Sequence, residues 1–539
     1  MAHSGDRPST CDGSPDRRRF LQQSGACIAA AAASTLGVAE SPTVIAHTKA
    51  GDVRGTITDG IHAFKGLRYG ADTAGRRFMP ALPPERWTNV QDALSYGPAC
   101  LQSGKMKEPS SEDCLFLNVW TPGLHDGGSR PVLFYIHGGA YSHGSGSSPL
   151  YDGTRLCRRG DVVVVTVNHR LDAFGHLYLG RLGGPEWSDS GNVGLLDLVL
   201  ALQWVRDNIA EFGGDRSRVM LFGQSGGGAK IATLMAMPAA QGLFHRAATM
   251  SGQQVTASGP LHATERARAL LATLRLSGDG VAGLNALPAQ RLVEALDTVD
   301  PIIGEGSLYF GPVLDESSLS RHPFYPDAPS LSAHIPMIIG NTHDETRTLI
   351  GGSRPETFAL SWEQLQQELL KQMRADIAPE IVVAEYRRLY PQYSASDVFF
   401  SATTASRSWR AAVVEAELRA AQGSPAYAYQ LDWKSPLEGG KWGAPHTLDI
   451  PLVFDNNDKE GSITGTAANA QRMAERMSEA FLAFARTGNP NNRTLPQWEP
   501  YQLPRRQTLV LDDNARLVDD PRGAERRLFA KVPFVQQGT

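Results

Sequence analysis

The sequence predicts an α/β fold: a large, mostly parallel sheet flanked by helices, with helical insertions above it. Three observations carry that expectation. Residues 132–136 (Val-Leu-Phe-Tyr-Ile) and 162–167 (Val-Val-Val-Val-Thr-Val) are continuous apolar runs, as strands covered on both faces require. Residues 194–212 place Leu195, Leu198, Leu202, Val205, Ile209 and Phe212 on one helical face, with Asp197, Asp207 and Glu211 off it. A further apolar run, Val219-Met220-Leu221-Phe222, follows at once, so strand, helix and strand make a βαβ unit with parallel strands and a right-handed crossover.

The other elements fall into place around that unit. Residues 43–69 are short alternating segments broken by Gly51, Gly55, Gly60 and Gly66, which predicts an antiparallel hairpin or meander at a sheet edge. Residues 78–98 are proline-rich and irregular, and 114–120 form a strand that Pro122 stops. Residues 247–250 read as a strand, 261–300 as an amphipathic helical insertion, and 335–339 as a strand that empties into 340–345. Helices are expected over 362–390 and 406–421, a strand over 426–431, and a loop over 432–457. A last long helix, 468–486, has Met473, Met477, Phe481 and Phe484 on one face. No repeat or low-complexity linker interrupts residues 40–539, which predicts one large domain.

Of the 539 residues, 41% are hydrophobic and 20% charged, enough for a sizeable core. A net charge of −4 and the lack, in residues 40–539, of basic clusters interleaved with aromatics exclude a nucleic-acid face, and no apolar run is long enough for a membrane span. Residues 1–39 differ in kind: Arg17-Arg18-Arg19-Phe20-Leu21 precedes an alanine-rich apolar stretch and then small residues. That order is an export signal of twin-arginine character, which predicts a periplasmic or secreted protein, bacterial in origin, with cleavage near Ala39. Cys100 and Cys114 would close a loop of about 15 residues, worth about 3 kcal/mol by chain entropy. An exported protein can keep such a bond, so Cys100–Cys114 is expected paired and Cys157 free.

The chemistry centres on Gly223-Gln224-Ser225-Gly226-Gly227, set between the apolar run 219–222 and a helix read as beginning near Ala229. A serine on so tight a turn is held at strained backbone angles with its hydroxyl in a cleft over helix N–H groups, the setting of a nucleophile. Its proton needs a base, and the base an orienting acid, in the chain order serine, acid, histidine. His245, His262, His322, His334 and His343 lie between Ser225 and residue 345, and only His446 follows. An acid at the end of the 335–339 strand therefore fixes His446 as the base, while periodicity leaves Asp344 and Glu345 open as the acid. The expected oxyanion donors are the N–H groups of Gly226, Gly139 and Ala140, each worth about 10²–10³ in turnover. A dinucleotide loop at 144–146 is not expected, because the third glycine and a following helix start are missing.

Several longer segments resemble the type-B carboxylesterase family of α/β hydrolases. Residues 212–227 resemble its serine signature and 112–119 (Glu-Asp-Cys-Leu-Phe-Leu-Asn-Val) its second signature. Gly191-Asn192-Val193-Gly194-Leu195-Leu196-Asp197 and Thr487-Gly488-Asn489-Pro490 are also similar, and the likeness spans about residues 43–535. The resemblance implies an α/β-hydrolase fold, Ser225 as nucleophile, Glu345 rather than Asp344 as acid, His446 as base, and the Cys100–Cys114 bridge. It further implies an ester hydrolase acting on small-molecule esters, as a monomer or homodimer, with no metal and no cofactor. Ala140 stands where the family's third oxyanion-loop glycine is commoner, and Thr346 where glycine often follows the acid. Amide, carbamate or thioester cleavage by the same triad is the neighbouring alternative, and a non-catalytic binding domain on this scaffold the more distant one.

Overall fold

The computed structural model describes residues 42–104, 108–276 and 280–539, so the segment read as an export signal lies outside the described residues. Twelve strands run in sequence across one twisted sheet: β1 (Thr43–His47), β2 (Asp52–Thr58), β3 (Ile61–Arg68), β4 (Phe116–Thr121), β5 (Arg130–Ile136), β6 (Val163–Val167), β7 (Gly214–Gln224), β8 (Arg246–Met250), β9 (Met337–Thr342), β10 (Ala426–Leu431), β11 (Gln507–Leu511) and β12 (Arg516–Asp519), with Gln91–Asp92 pairing beside β2. Their spatial order is β1-β2-β3-β4-β6-β5-β7-β8-β9-β10-β11-β12. The glycine-broken edge is antiparallel, as expected, and every pairing from β6 through β11 is parallel. β6 and β7 both pair parallel with β5, which puts the serine strand β7 at the centre.

The apolar runs are continuous because each strand feeds two cores. In β5, Val132, Phe134 and Ile136 face one apolar cluster while Leu133 and Tyr135 face the other. On the first face lies α1 (Val193–Asn208), whose Leu195, Leu198, Leu202 and Val205 are fully buried. Asp197, read as merely off that face, is buried too, its carboxylate taking Nη2 and Nε of Arg170 at 2.7 and 2.8 Å. The second face is covered by α12 (Ala468–Thr487), which buries Met473, Met477, Phe481 and Phe484 as its spacing predicted.

The insertions are helical: α3 (Pro260–Thr273), α4 (Gly280–Ala286) and α5 (Ala289–Ala295), then α7 (Trp362–Gln372), α8 (Pro379–Leu389), α9 (Ala395–Thr404) and α10 (Arg410–Ala421). The single helix expected over 362–390 is two, with Pro379 opening the second, and a π turn at Ala405–Trp409 joins α9 to α10. No described helix is long and apolar enough to cross a membrane.

The expected Cys100–Cys114 bond is not formed: Cys100, Cys114 and Cys157 are all free, buried thiols. Cys114 instead shares a hydrogen bond with Cys100, and that bond together with burial pushes its thiol well above the usual range. Cys100 Sγ also donates to Leu101 O (3.4 Å) and accepts from Leu171 N (3.3 Å), so the thiols pack as small apolar groups with weak hydrogen bonds.

Candidate active site

Ser225 caps α2 (Gly226–Leu234) at the end of β7, with φ 55° and ψ −127°. Such angles persist only where the surroundings hold them. Its N–H donates to Met250 O at 2.8 Å, and its carbonyl accepts the Ala229 N–H at 3.1 Å. Glycines make room for the turn. A Cβ on Gly227 would overlap the carbonyl of Ile136, one on Gly226 that of Ala140, and one on Gly252 that of Ser225 itself. The helix therefore starts at Gly226 rather than near Ala229: packing against neighbouring backbone overrides the low helix propensity of three glycines.

The loop after β5 approaches the same point. Gly139 and Ala140 both have positive φ, 87° and 51°. Among the described residues no hydrogen bond consumes the N–H of Gly139, Ala140 or Gly226. Ala140 and Gly226 line the site cavity, and Gly139 lies next to them in the loop. From beneath, the buried Lys230 of α2 donates its ammonium to Ala140 O (2.7 Å) and reaches His137 O (3.5 Å). Burial lowers its pKa to about 7, against an opposing pull from Asp172. The sequence signal for this brace was a lone lysine in the otherwise small and apolar run 226–234, and pattern reading passed over it.

Glu345 opens α6 (Glu345–Leu349), three residues after β9, and is fully buried. One oxygen accepts Thr342 N at 2.9 Å and Asn341 Nδ2 at 3.3 Å; the other is hydrogen-bonded to Nδ1 of His446. Asp344 faces elsewhere, taking Ala444 N at 2.9 Å and His343 Nδ1 at 3.2 Å. Burial works to raise its pKa, but His343, the Ala444 N–H and Arg347 hold it down to about 2. Thr346, where a glycine is commoner, is accommodated because its hydroxyl bonds Phe400 O, Thr403 Oγ1 and Thr404 Oγ1 at 2.8, 2.8 and 3.0 Å.

Ser225 and His446 line one cavity of about 470 Å³, with Ser251 and Gly252 beside them. The Gln224 side-chain nitrogen stands 3.3 and 3.2 Å from the two ring nitrogens of His446, nearly equidistant and so over the ring face. Among the described residues no hydrogen bond joins the Ser225 hydroxyl to the ring. The site thus holds an alcohol on a strained turn, a carboxylate-bound imidazole and unused N–H groups around one cavity, a set suited to acyl transfer.

A sheet of this topology with its glycine-framed serine turn defines an α/β hydrolase. A model of the Carboxylesterase family matches residues 41–529. The chain is 35% identical to the para-nitrobenzyl esterase of Bacillus subtilis over 90% of its own length and 98% of that protein's. It is 31% identical to human carboxylesterase 3, covering 88% of each. The crystal structure of the Geobacillus stearothermophilus carboxylesterase EST55 at pH 6.2 superposes with a TM-score of 0.80 at 36% identity, over 90% of this chain and 99% of that one. The chain belongs to the type-B carboxylesterase family and is a carboxylesterase.

Proposed function

We propose that this carboxylesterase cleaves small-molecule esters through an acyl-enzyme, with Ser225, His446 and Glu345 as its triad. The observation that carries the reading is the pairing of Glu345 with Nδ1 of His446, which leaves Nε2 as the basic nitrogen within the cavity that Ser225 shares. Nε2 takes the Ser225 proton as Oγ bonds to the ester carbon, and the carbonyl oxygen becomes an oxyanion held by the N–H groups of Gly226, Ala140 and Gly139. Collapse expels the alcohol, which takes the proton from His446. Water then enters, gives its proton to Nε2 and its oxygen to the acyl carbon, and the acid leaves as Ser225 regains its proton. A Ser225–His446 hydrogen bond, not formed among the described residues, is of the kind that closes when substrate arrives. Residues 40–539 form the catalytic part in this reading, and residues 1–39 direct its export to the periplasm or medium.

Replacing Ser225 by alanine tests the assignment. Hydrolysis of short-chain aryl esters should fall by about 10⁶-fold with the unfolding midpoint preserved, and a fluorophosphonate probe should label the wild type at Ser225 only. A Ser225→Ala protein that still turns over aryl esters at the wild-type rate would refute it.

A further inference from the structure

The cavity that holds Ser225 and His446 carries charged side chains of one sign. Among the described residues, Arg374 and Arg407 are the only lysine, arginine, aspartate or glutamate side chains lining it. Arg374 follows α7 and is exposed; Arg407 lies within the π turn 405–409 and is half-buried. The Arg374 backbone N–H donates to Ser406 Oγ at 3.2 Å, which ties the two segments together.

Neither guanidinium has a carboxylate within ion-pair distance among the described residues. Arg407 donates to the carbonyl of Gln372 (2.7 and 3.2 Å) and to its side-chain oxygen (3.1 Å), all neutral acceptors. No hydrogen bond to the Arg374 guanidinium is formed within the described residues. Glu305 and Asp376 border the adjoining depression that the two arginines also line, yet neither closes on them. Elsewhere in the insertion Arg347 pairs with Asp397 at 2.6 Å and Arg354 with Glu368 at 2.8 Å, while Arg410 and Arg419 are held by backbone carbonyls, none of them on this cavity. Burial, then the charge of Arg374, draws Arg407 down to about 9, above neutral pH, and burial lowers Arg374 from its ordinary value as well. The Arg374 guanidinium, with the Nη1 of Arg407 that Gln372 leaves unused, borders a substrate cavity and matches a carboxylate geometrically and electrically.

We infer that the enzyme's preferred substrates are esters bearing a second, free carboxylate, such as half-esters of dicarboxylic acids or acyl esters of hydroxy acids, which Arg374 and Arg407 hold while Ser225 attacks the ester carbon. This rests on the serine-esterase reading above and narrows its substrate class.

Two matched pairs test it. Monoethyl adipate against its neutral half-amide carries the charge on the acyl side, and 4-acetoxybenzoate against 4-acetoxybenzamide carries it on the alcohol side. The wild type should favour the carboxylate member of at least one pair by about tenfold or more in kcat/KM, and the preference should shrink as salt is raised. In the R374Q/R407Q double variant the ratio should fall towards one; in R374K/R407K much of it should survive. Because each ratio is taken within one preparation, partial misfolding does not disturb it. Equal rates within both wild-type pairs, or a wild-type preference that the double glutamine variant retains, overturns the inference while leaving the esterase intact. Failure on every neutral ester, together with no labelling of Ser225, would instead remove the esterase reading and the inference with it.

Discussion

Asp449 opens the short helix α11 (Asp449–Phe454), inside the stretch that the sequence read as loop, and is fully buried close to the Glu345–His446 pair. The Tyr429 hydroxyl donates to Oδ2 at 2.8 Å, and Oδ1 has no hydrogen-bond partner among the described residues. Burial raises its pKa most; the Tyr429 bond pulls it back, the charge of Glu345 adds to it, and the carboxyl sits at about 6 against an ordinary 3.8. The folded chain therefore holds this proton more tightly than the unfolded chain, so the group costs nothing below pH 3.8 and its full penalty above about pH 6. Stability contributed here falls as pH rises through that window. In Asp449→Asn the penalty is gone, so urea unfolding of variant and wild type should show a difference that moves in the variant's favour by about 2 kcal/mol between pH 4 and 7, then levels off. Any fixed offset from the amide leaves that slope intact. A difference that does not change with pH would show that the carboxyl titrates in the folded chain where it does in the unfolded one.

The serine turn is the element on which both fold and chemistry lean, and it is built from missing side chains. Gly227→Ala would drive a methyl into the Ile136 carbonyl, whereas Gly75→Ala meets nothing within 4 Å. The first should cost about 1–3 kcal/mol or more and most of the activity; the second should be silent in both denaturation and turnover. Equal stability of the two variants would contradict the close approach of α2 to β5. This element was legible because strand, elbow and helix are contiguous in sequence, and the parallel strands because burial on two faces leaves unbroken apolar runs. His446 as the proposed base was legible from chain order alone. Choosing Glu345 over Asp344 was not, since adjacent carboxylates look alike until hydrogen bonds at the end of β9 decide which one turns towards the imidazole. Lys230 was hidden for a related reason: its role is to grip carbonyls of a loop ninety residues away in sequence, at Ala140. The fused reading of α7 and α8 shows that amphipathic spacing can persist across a break, and Pro379 was the punctuation that marked it. The final strands β11 and β12 went unread because they are short and bounded by charged residues, with their partners supplied only by the sheet edge.

At the scale of the molecule, two apolar clusters sandwich the sheet while a third, separate one lies inside the insertion, formed by α7, α8 and α9 with Leu528 and Phe529 of α13 (Gly523–Phe529). That third cluster is closed by a buried ion pair rather than by more apolar surface. Arg522 and Glu525 are almost wholly buried, Arg522 Nε donates to Glu525 Oε1 at 3.1 Å, and the guanidinium lies 4.5 Å from the Trp409 ring centroid. The same carboxylate accepts the hydroxyls of Tyr386 of α8 (2.5 Å) and of Tyr390 just after that helix (2.7 Å). Glu525 thus joins the chain's last helix to the insertion that carries Arg374 and Arg407. Glu525→Ala leaves a buried cation and two tyrosine hydroxyls unanswered, and should cost about 3–5 kcal/mol. Replacing the whole pair, Arg522→Met with Glu525→Leu, removes the charge problem and should cost clearly less than the single substitution. Because the damage begins in the third cluster, amide exchange in Glu525→Ala should quicken across α7–α9 while β5, β7 and β8 stay protected. Uniform exchange across sheet and insertion, or a single variant no weaker than the double, would mean that the insertion is held by its apolar contacts alone.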